Sequence, residues 1–108
     1  MDNLLSIALE AHNAEQNHHR YYSFTVGRDL LGDWSVCIRY GRVGRRGQEV
    51  KFAGDRIEPL QAIIRERLKK RLSARRRIGC DYRLTKLDVA PGLDGKAWLP
   101  NSMLMPFF

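Results

Sequence analysis

Three stretches of this chain alternate apolar and polar residues, and a fourth abandons that period for steps of three and four. In "RYYSFTV", residues 20–26, Tyr22, Phe24 and Val26 share one face, as a half-buried strand requires. After the break "GRDLLGD", Trp34, Val36, Ile38 and Tyr40 alternate again, with Ser35, Cys37 and Arg39 on the opposite side. "QEVKF", residues 48–52, reads as a third strand joined to the second by "GRVGRRG". From about Asp55 onward Ile57, Leu60, Ile64, Leu68 and Leu72 fall on one helical stripe. The change of period predicts an α+β fold: a small antiparallel meander sheet with one long basic amphipathic helix packed on it.

The helix has two candidate starts. Asp55 and Glu58 stand at the spacing of an acidic cap, while Pro59 disfavours helical geometry at Glu58 and moves the start to itself. Gly79 is its natural stop. "CDYRL", residues 80–84, reads as a last edge strand, and the rest of the chain is rich in Pro and Gly and reads as irregular. The expected organisation is an N-terminal extension over 1–18, a folded unit over 19–84 and an apolar tail over 85–108. A length of 108 residues suits one domain with one modest core.

The net charge of +7 is unevenly spread. Residues 39–77 hold 14 of the 19 Lys and Arg against four acidic residues, a balance of +10, while the remainder sums to −3. So concentrated a field attracts polyanions, nucleic acid first and anionic lipid second; the plain reading is a solubilising face. No run of 18 apolar residues offers a membrane span, and the acidic start "MDNLLSIALEAHNAE" lacks the basic n-region of a signal peptide, so the cytoplasm is the expected compartment. Two cysteines, Cys37 and Cys80, fit a reducing compartment. His12, His18 and His19 form no HxxxH pattern, which leaves them as exposed polar residues, with no metal or other cofactor expected. Paired carboxylates in a recognisable setting, a Cys–His signature and a nucleophile elbow are missing from the sequence, so catalysis is not expected.

The stretch "IRYGRVGRRGQEVKF", residues 38–52, sets Gly41, Gly44 and Gly47 among four arginines. It lacks the Gly-Lys-Ser/Thr ending of a Walker loop, and its glycines are spaced three and three with a strand following, unlike a dinucleotide fingerprint. A GxxG clamp of the KH type joins two helices, whereas the residues before Gly41 alternate like a strand. What remains is an aromatic, a glycine and an arginine at a strand exit, followed by a basic turn.

On those residues the chain resembles the WGR domain family. "YGRVGRRGQ" is similar to the Trp-Gly-Arg-Val/Ile-Gly signature, with Tyr40 in the tryptophan place. "RYYSFTV" resembles the family's first strand, "LLGDWSVCIR" its loop and second strand, and the helix ending in "RRRIG" its helix and closing Gly-Tyr region, with Cys80 and Asp81 inserted before Tyr82. The resemblance covers roughly residues 19–84 and is closest to short stand-alone bacterial members. It implies a nonenzymatic module that contacts DNA near strand ends, as in DNA-dependent poly(ADP-ribose) polymerases, where the domain also bridges neighbouring domains. Carried over, Tyr40 packs on a terminal sugar or base and Arg42 reaches the phosphate backbone.

The residues themselves agree with that implication in part. Arginine makes forked, charge-assisted bonds to phosphate, and glycine lets backbone approach closely. The candidate nucleic-acid contacts are Arg39, Tyr40, Gly41, Arg42, Arg45 and Arg46 around the turn, with Lys69, Lys70, Arg75, Arg76 and Arg77 on the helix. Tyr40 also reads as a sheet-core residue in line with Trp34, Val36 and Ile38, and the three glycines as conformational. Eight cations against the single Glu66 between 65 and 77 repel one another at i, i+4, a strain that a polyanion relieves. DNA is favoured over RNA as partner. A second reading is a protein-interaction adaptor using the WGR-like surface and the apolar segment "AWLPNSMLMPFF", residues 97–108, which otherwise folds back on the sheet. A basic helix beside an aromatic tail meeting anionic lipid is a third.

Overall fold

The computed structural model describes residues 2–15, 17–72 and 82–99. Strands β1 (Asp2–Asn13), β2 (His18–Arg28), β3 (Trp34–Arg42) and β4 (Gln48–Gly54) are followed by helix α1 (Ile57–Leu72), strand β5 (Arg83–Val89) and a short 3-10 turn (Gly95–Trp98). The strands form one antiparallel sheet in the order β4-β3-β2-β1-β5. The expected α+β fold is thus present, with two strands more than the three-stranded meander.

One face of the sheet is apolar because the period-two residues stay in phase across it. Leu9, Tyr22 and Tyr40 lie in one cross-strand row, Ile7, Phe24, Ile38 and Val50 in the next, and Leu5, Val26, Val36 and Phe52 in a third. The stripe of α1 closes over these rows, burying Leu60, Ile64 and Leu68; the Leu72 side chain lies outside the described residues. The helix begins at Ile57, between the two expected starts. Pro59 falls in its first turn, where a backbone N–H has no intrahelical acceptor to lose, and Glu58 complements the dipole there.

Two stretches differ from expectation. Residues 1–18, expected as an extension, contribute β1, which sits between β2 and β5 and buries Leu5, Ile7, Leu9 and Ala11. The physical reason is that strict alternation: β1 supplies a full row of core side chains. Residues 85–89, expected to be irregular, continue the strand that begins at Arg83. A register shift opposite Ala8 and Leu9 lets Leu84 and Leu87 both turn to the core, and the Thr85 hydroxyl donates to the Ala8 carbonyl (3.1 Å). Cys80 and Asp81 lie outside the described residues.

Past β5, Trp98 and Leu99 are buried, and Arg65 of α1 donates to the Ala97 carbonyl (2.6 Å). The described beginning of the apolar tail therefore folds back onto the helix and core; residues 100–108 lie outside the described residues.

Candidate nucleic-acid interface

The turn between β3 and β4 is closed mainly by backbone. The Val43 N–H donates to the His19 carbonyl (2.9 Å), the Arg45 N–H to the Arg42 carbonyl (3.0 Å), and the Tyr21 hydroxyl to the Arg46 carbonyl (2.7 Å). Gly47 has φ +69°, and a Cβ there would collide with the Tyr40 carbonyl oxygen and the Tyr21 hydroxyl. A Cβ on Gly41 would come within 2.8 Å of the Gly47 Cα, so the two chains of the hairpin touch at these glycines. Gly44, at φ +83° with open space around it, is required for its conformation alone. Arg45 and Arg46 are exposed at the tip of the turn.

Tyr40 lies on the helix side of the sheet. It is half-buried against the core, its ring stacks on Tyr22 (centroids 6.2 Å apart), and its hydroxyl donates to Gln48 Oε1 (2.7 Å). Arg42 is also engaged: its guanidinium donates to the Asn17 carbonyl (3.1 Å) and to Asn17 Oδ1 (2.9 Å), in the turn between β1 and β2. A guanidinium has five N–H donors, so these two bonds orient the group without exhausting it.

Helix α1 runs back from the Gly54 end of the sheet and brings its last turns over Tyr40. The Arg71 guanidinium lies 4.8 Å from the Tyr22 ring centre and 5.1 Å from that of Tyr40, and Arg67 lies 5.2 Å from that of Phe52. These cation–π contacts place two cations against aromatic faces. They border a groove of about 480 Å³ lined by Ala62, Ile63, Glu66, Arg67, Lys70 and Arg71. Lys69 is exposed and its contact with Glu66 is long (3.6 Å), a weak pair in solvent. The Tyr22 hydroxyl is buried with no partner in hydrogen-bond geometry, although Arg67 lies close enough to act on it. Burial pushes its ionisation up against the opposing pull of Arg67 and Arg71.

The predicted site residues thus divide. Tyr40, Gly41, Arg42, Arg45 and Arg46 belong to one hairpin end, Lys70 lines the groove beside Arg71, which lies over Tyr40, and Lys69, one residue before Lys70, is not part of that lining. Arg39 faces the opposite side of the sheet, where it bonds Glu49 (2.9 Å) beside Lys51 (3.2 Å from Glu49). Those bonds, from Lys51 and then Arg39, hold the Glu49 carboxyl below the usual carboxylate range. Arg75, Arg76 and Arg77 lie outside the described residues. The sequence-based set omitted Arg67 and Arg71; their i, i+4 spacing was legible, but the aromatic rings beneath them come from two other elements.

Such an arrangement can hold a polyanion through guanidinium and ammonium groups at one end of the sheet. Cys37, on the opposite face, is no candidate nucleophile, because burial and then the neighbouring Glu49 raise its thiol. Among the described residues no three of His, Cys, Asp and Glu converge on a metal site, and no helix is long and apolar enough to cross a membrane. A model of the WGR domain matches residues 5–76, two thirds of the chain. The match starts inside β1, earlier than the span of 19–84 expected from the motifs. No curated protein matches the chain.

Proposed function

From the premise that this chain belongs to the WGR domain family, we propose that it is a nonenzymatic nucleic-acid-binding module that takes DNA ahead of RNA and grips it through the phosphate backbone, with a preference for strand ends or nicks. The WGR domain is a binding domain rather than a catalytic one, and in poly(ADP-ribose) polymerases it is of the nucleic-acid-binding kind. The observation that carries the reading is the meeting of two basic segments: Arg71 of α1 lies over Tyr40, two residues before Arg42 and its arginine-tipped turn. Phosphate contacts of this kind position a ligand and carry little base sequence information. Tyr40 supplies the edge of an aromatic surface beside them, and Arg42, oriented by Asn17, supplies donors at the same end. The module works in the cytoplasm, where Cys37 stays a thiol.

Fluorescence-anisotropy titrations of intact duplex, nicked duplex and single strand across a salt series test this. Affinity is expected to fall steeply with salt, with a log–log slope of about −0.9 per phosphate neutralised on duplex. Arg42→Ala is expected to remove the preference for ends or nicks, while the double change Arg75→Ala, Arg76→Ala weakens all three ligands alike. Absence of binding at low salt, or binding indifferent to salt, sinks the proposal.

A further inference from the structure

The Tyr22 hydroxyl is a buried donor among other donors. Tyr22 is 1 % exposed, and among the described residues its hydroxyl has no hydrogen-bond partner. The two charged side chains that act on it, Arg67 and Arg71, cannot take its proton, because a guanidinium carries five N–H donors and no acceptor. A buried polar hydrogen without an acceptor is costly to keep and points to an acceptor from outside the chain. Arg71 lies 4.8 Å from the centre of the Tyr22 ring and 5.1 Å from that of Tyr40, and Arg67 lies 5.2 Å from that of Phe52. Stacking engages the flat face of a guanidinium and leaves its N–H edge for an oxyanion. Among the described residues neither Arg67 nor Arg71 forms an ion pair. Both line the groove of about 480 Å³ together with Lys70 and Glu66, three cations against one carboxylate and so a balance of +2.

We propose that Tyr22, Arg67 and Arg71 form a binding site for a phosphate dianion, entered from this groove. One phosphate oxygen accepts the Tyr22 hydroxyl proton, and the others accept from the two guanidiniums. The charge of the groove favours a dianion over a singly charged diester. Burial of the hydroxyl favours it too, for a different reason. A diester carries a substituent on either side, whereas inorganic phosphate or a phosphate monoester presents three bare acceptor oxygens and can bring one to a donor behind the guanidiniums. The site goes beyond the grip on a phosphate backbone and does not depend on it, since its distinguishing donor is uncharged and buried.

The test is calorimetric titration of the full chain with inorganic phosphate in a phosphate-free buffer of low ionic strength. One ion per chain is expected. Tyr22→Phe keeps the ring beneath Arg71 and removes only the oxygen, so it is expected to weaken phosphate binding about 10-fold or more. In urea denaturation without phosphate the same variant is expected to be at least as stable as wild type, because no hydrogen bond within the chain is lost. Arg67→Gln and Arg71→Gln are each expected to weaken phosphate binding about 10-fold, while Lys86→Gln, which removes a cation from a different cavity, leaves it unchanged. Dimethyl phosphate should bind about 10-fold more weakly than inorganic phosphate. Methyl phosphate separates the two sources: binding equal to that of inorganic phosphate supports a monoester as the ligand, and binding about 10-fold weaker supports the free ion. Three results overturn the site: no phosphate binding by wild type, undiminished affinity in Tyr22→Phe, or a loss of stability in Tyr22→Phe, which would reveal a partner for the hydroxyl within the chain.

Discussion

The turns at the two ends of β3 begin alike, "GRDLLGD" at 27–33 and "GRVGRRG" at 41–47, and are closed by different means. In the first, Asp29 Oδ1 accepts from the N–H groups of Leu31 and Asp33 (2.9 Å each), and Arg28 donates twice to the Gly32 carbonyl while lying 4.8 Å from the centre of the Trp34 ring. The Arg28 and Asp29 side chains both serve its shape, and what it presents is Leu30 and Leu31, fully and nearly fully exposed. In the second, the close approach of Gly41 and Gly47 and the Tyr21 hydroxyl replace a carboxylate. An aspartate at that tip would close the turn equally well but would offset the positive charge. Closing it by backbone leaves Arg45 and Arg46 outside the turn's hydrogen bonding except through their main chain. The comparison teaches that a turn's mode of closure decides whether its charges are available to a partner.

Several substitutions would break or sharpen that contrast. The largest effect is expected for Gly47→Ala, which combines a left-handed φ with a collision against backbone and costs about 3 kcal/mol or more in urea denaturation, whereas Gly44→Ala, with open space, costs about 1–2 kcal/mol. Equal costs at the two glycines would refute closure by close approach. Next, Asp29→Ala strips two backbone donors of their acceptor and is expected to cost about 1–2 kcal/mol while leaving DNA affinity unchanged in anisotropy titrations.

The double change Arg45→Ala, Arg46→Ala reverses that pattern. Stability should stay within about 0.5 kcal/mol of wild type, while the salt slope of binding shrinks by about 2. Destabilisation without any change of slope would mean these arginines serve the turn after all. The smallest effect concerns Glu49 on the far side of the same hairpin. Its folded carboxyl titrates below its unfolded value, so its contribution is present at neutral pH and is lost as pH falls through that depressed value. Glu49→Gln should therefore flatten slightly the acid limb of the stability profile, and an unchanged limb would show that solvent screens out the bonds to Lys51 and Arg39.

Much of this architecture was legible because residues such as Tyr22, Phe24, Val36 and Ile38 announce a buried face by period alone, and Ile57 to Leu68 announce a stripe. The alternation of Leu5, Ile7, Leu9 and Ala11 was equally regular, but Leu, Ala and Glu are helix-favouring residues and carry less strand bias than the Tyr, Phe and Val of β2. The edge strand expected to end at Leu84 continues to Val89 in β5, a continuation hidden because its register shift breaks the period at Thr85. In the candidate site, the arginines and glycines of the turn were visible at once. The partner of Arg42 was not, since Asn17 is 25 residues distant and belongs to another hairpin.

Sequence alone determined the class of the fold, the concentration of positive charge and the glycines that any tight basic hairpin here would need, because each is a local property of period, composition or φ. Only the tertiary structure decided which cations meet which rings, that Asn17 meets Arg42, and that His12 and His19 become neighbours. Those outcomes depend on strand order and register, in which a shift of one residue reverses every face, and no single stretch of the chain encodes them.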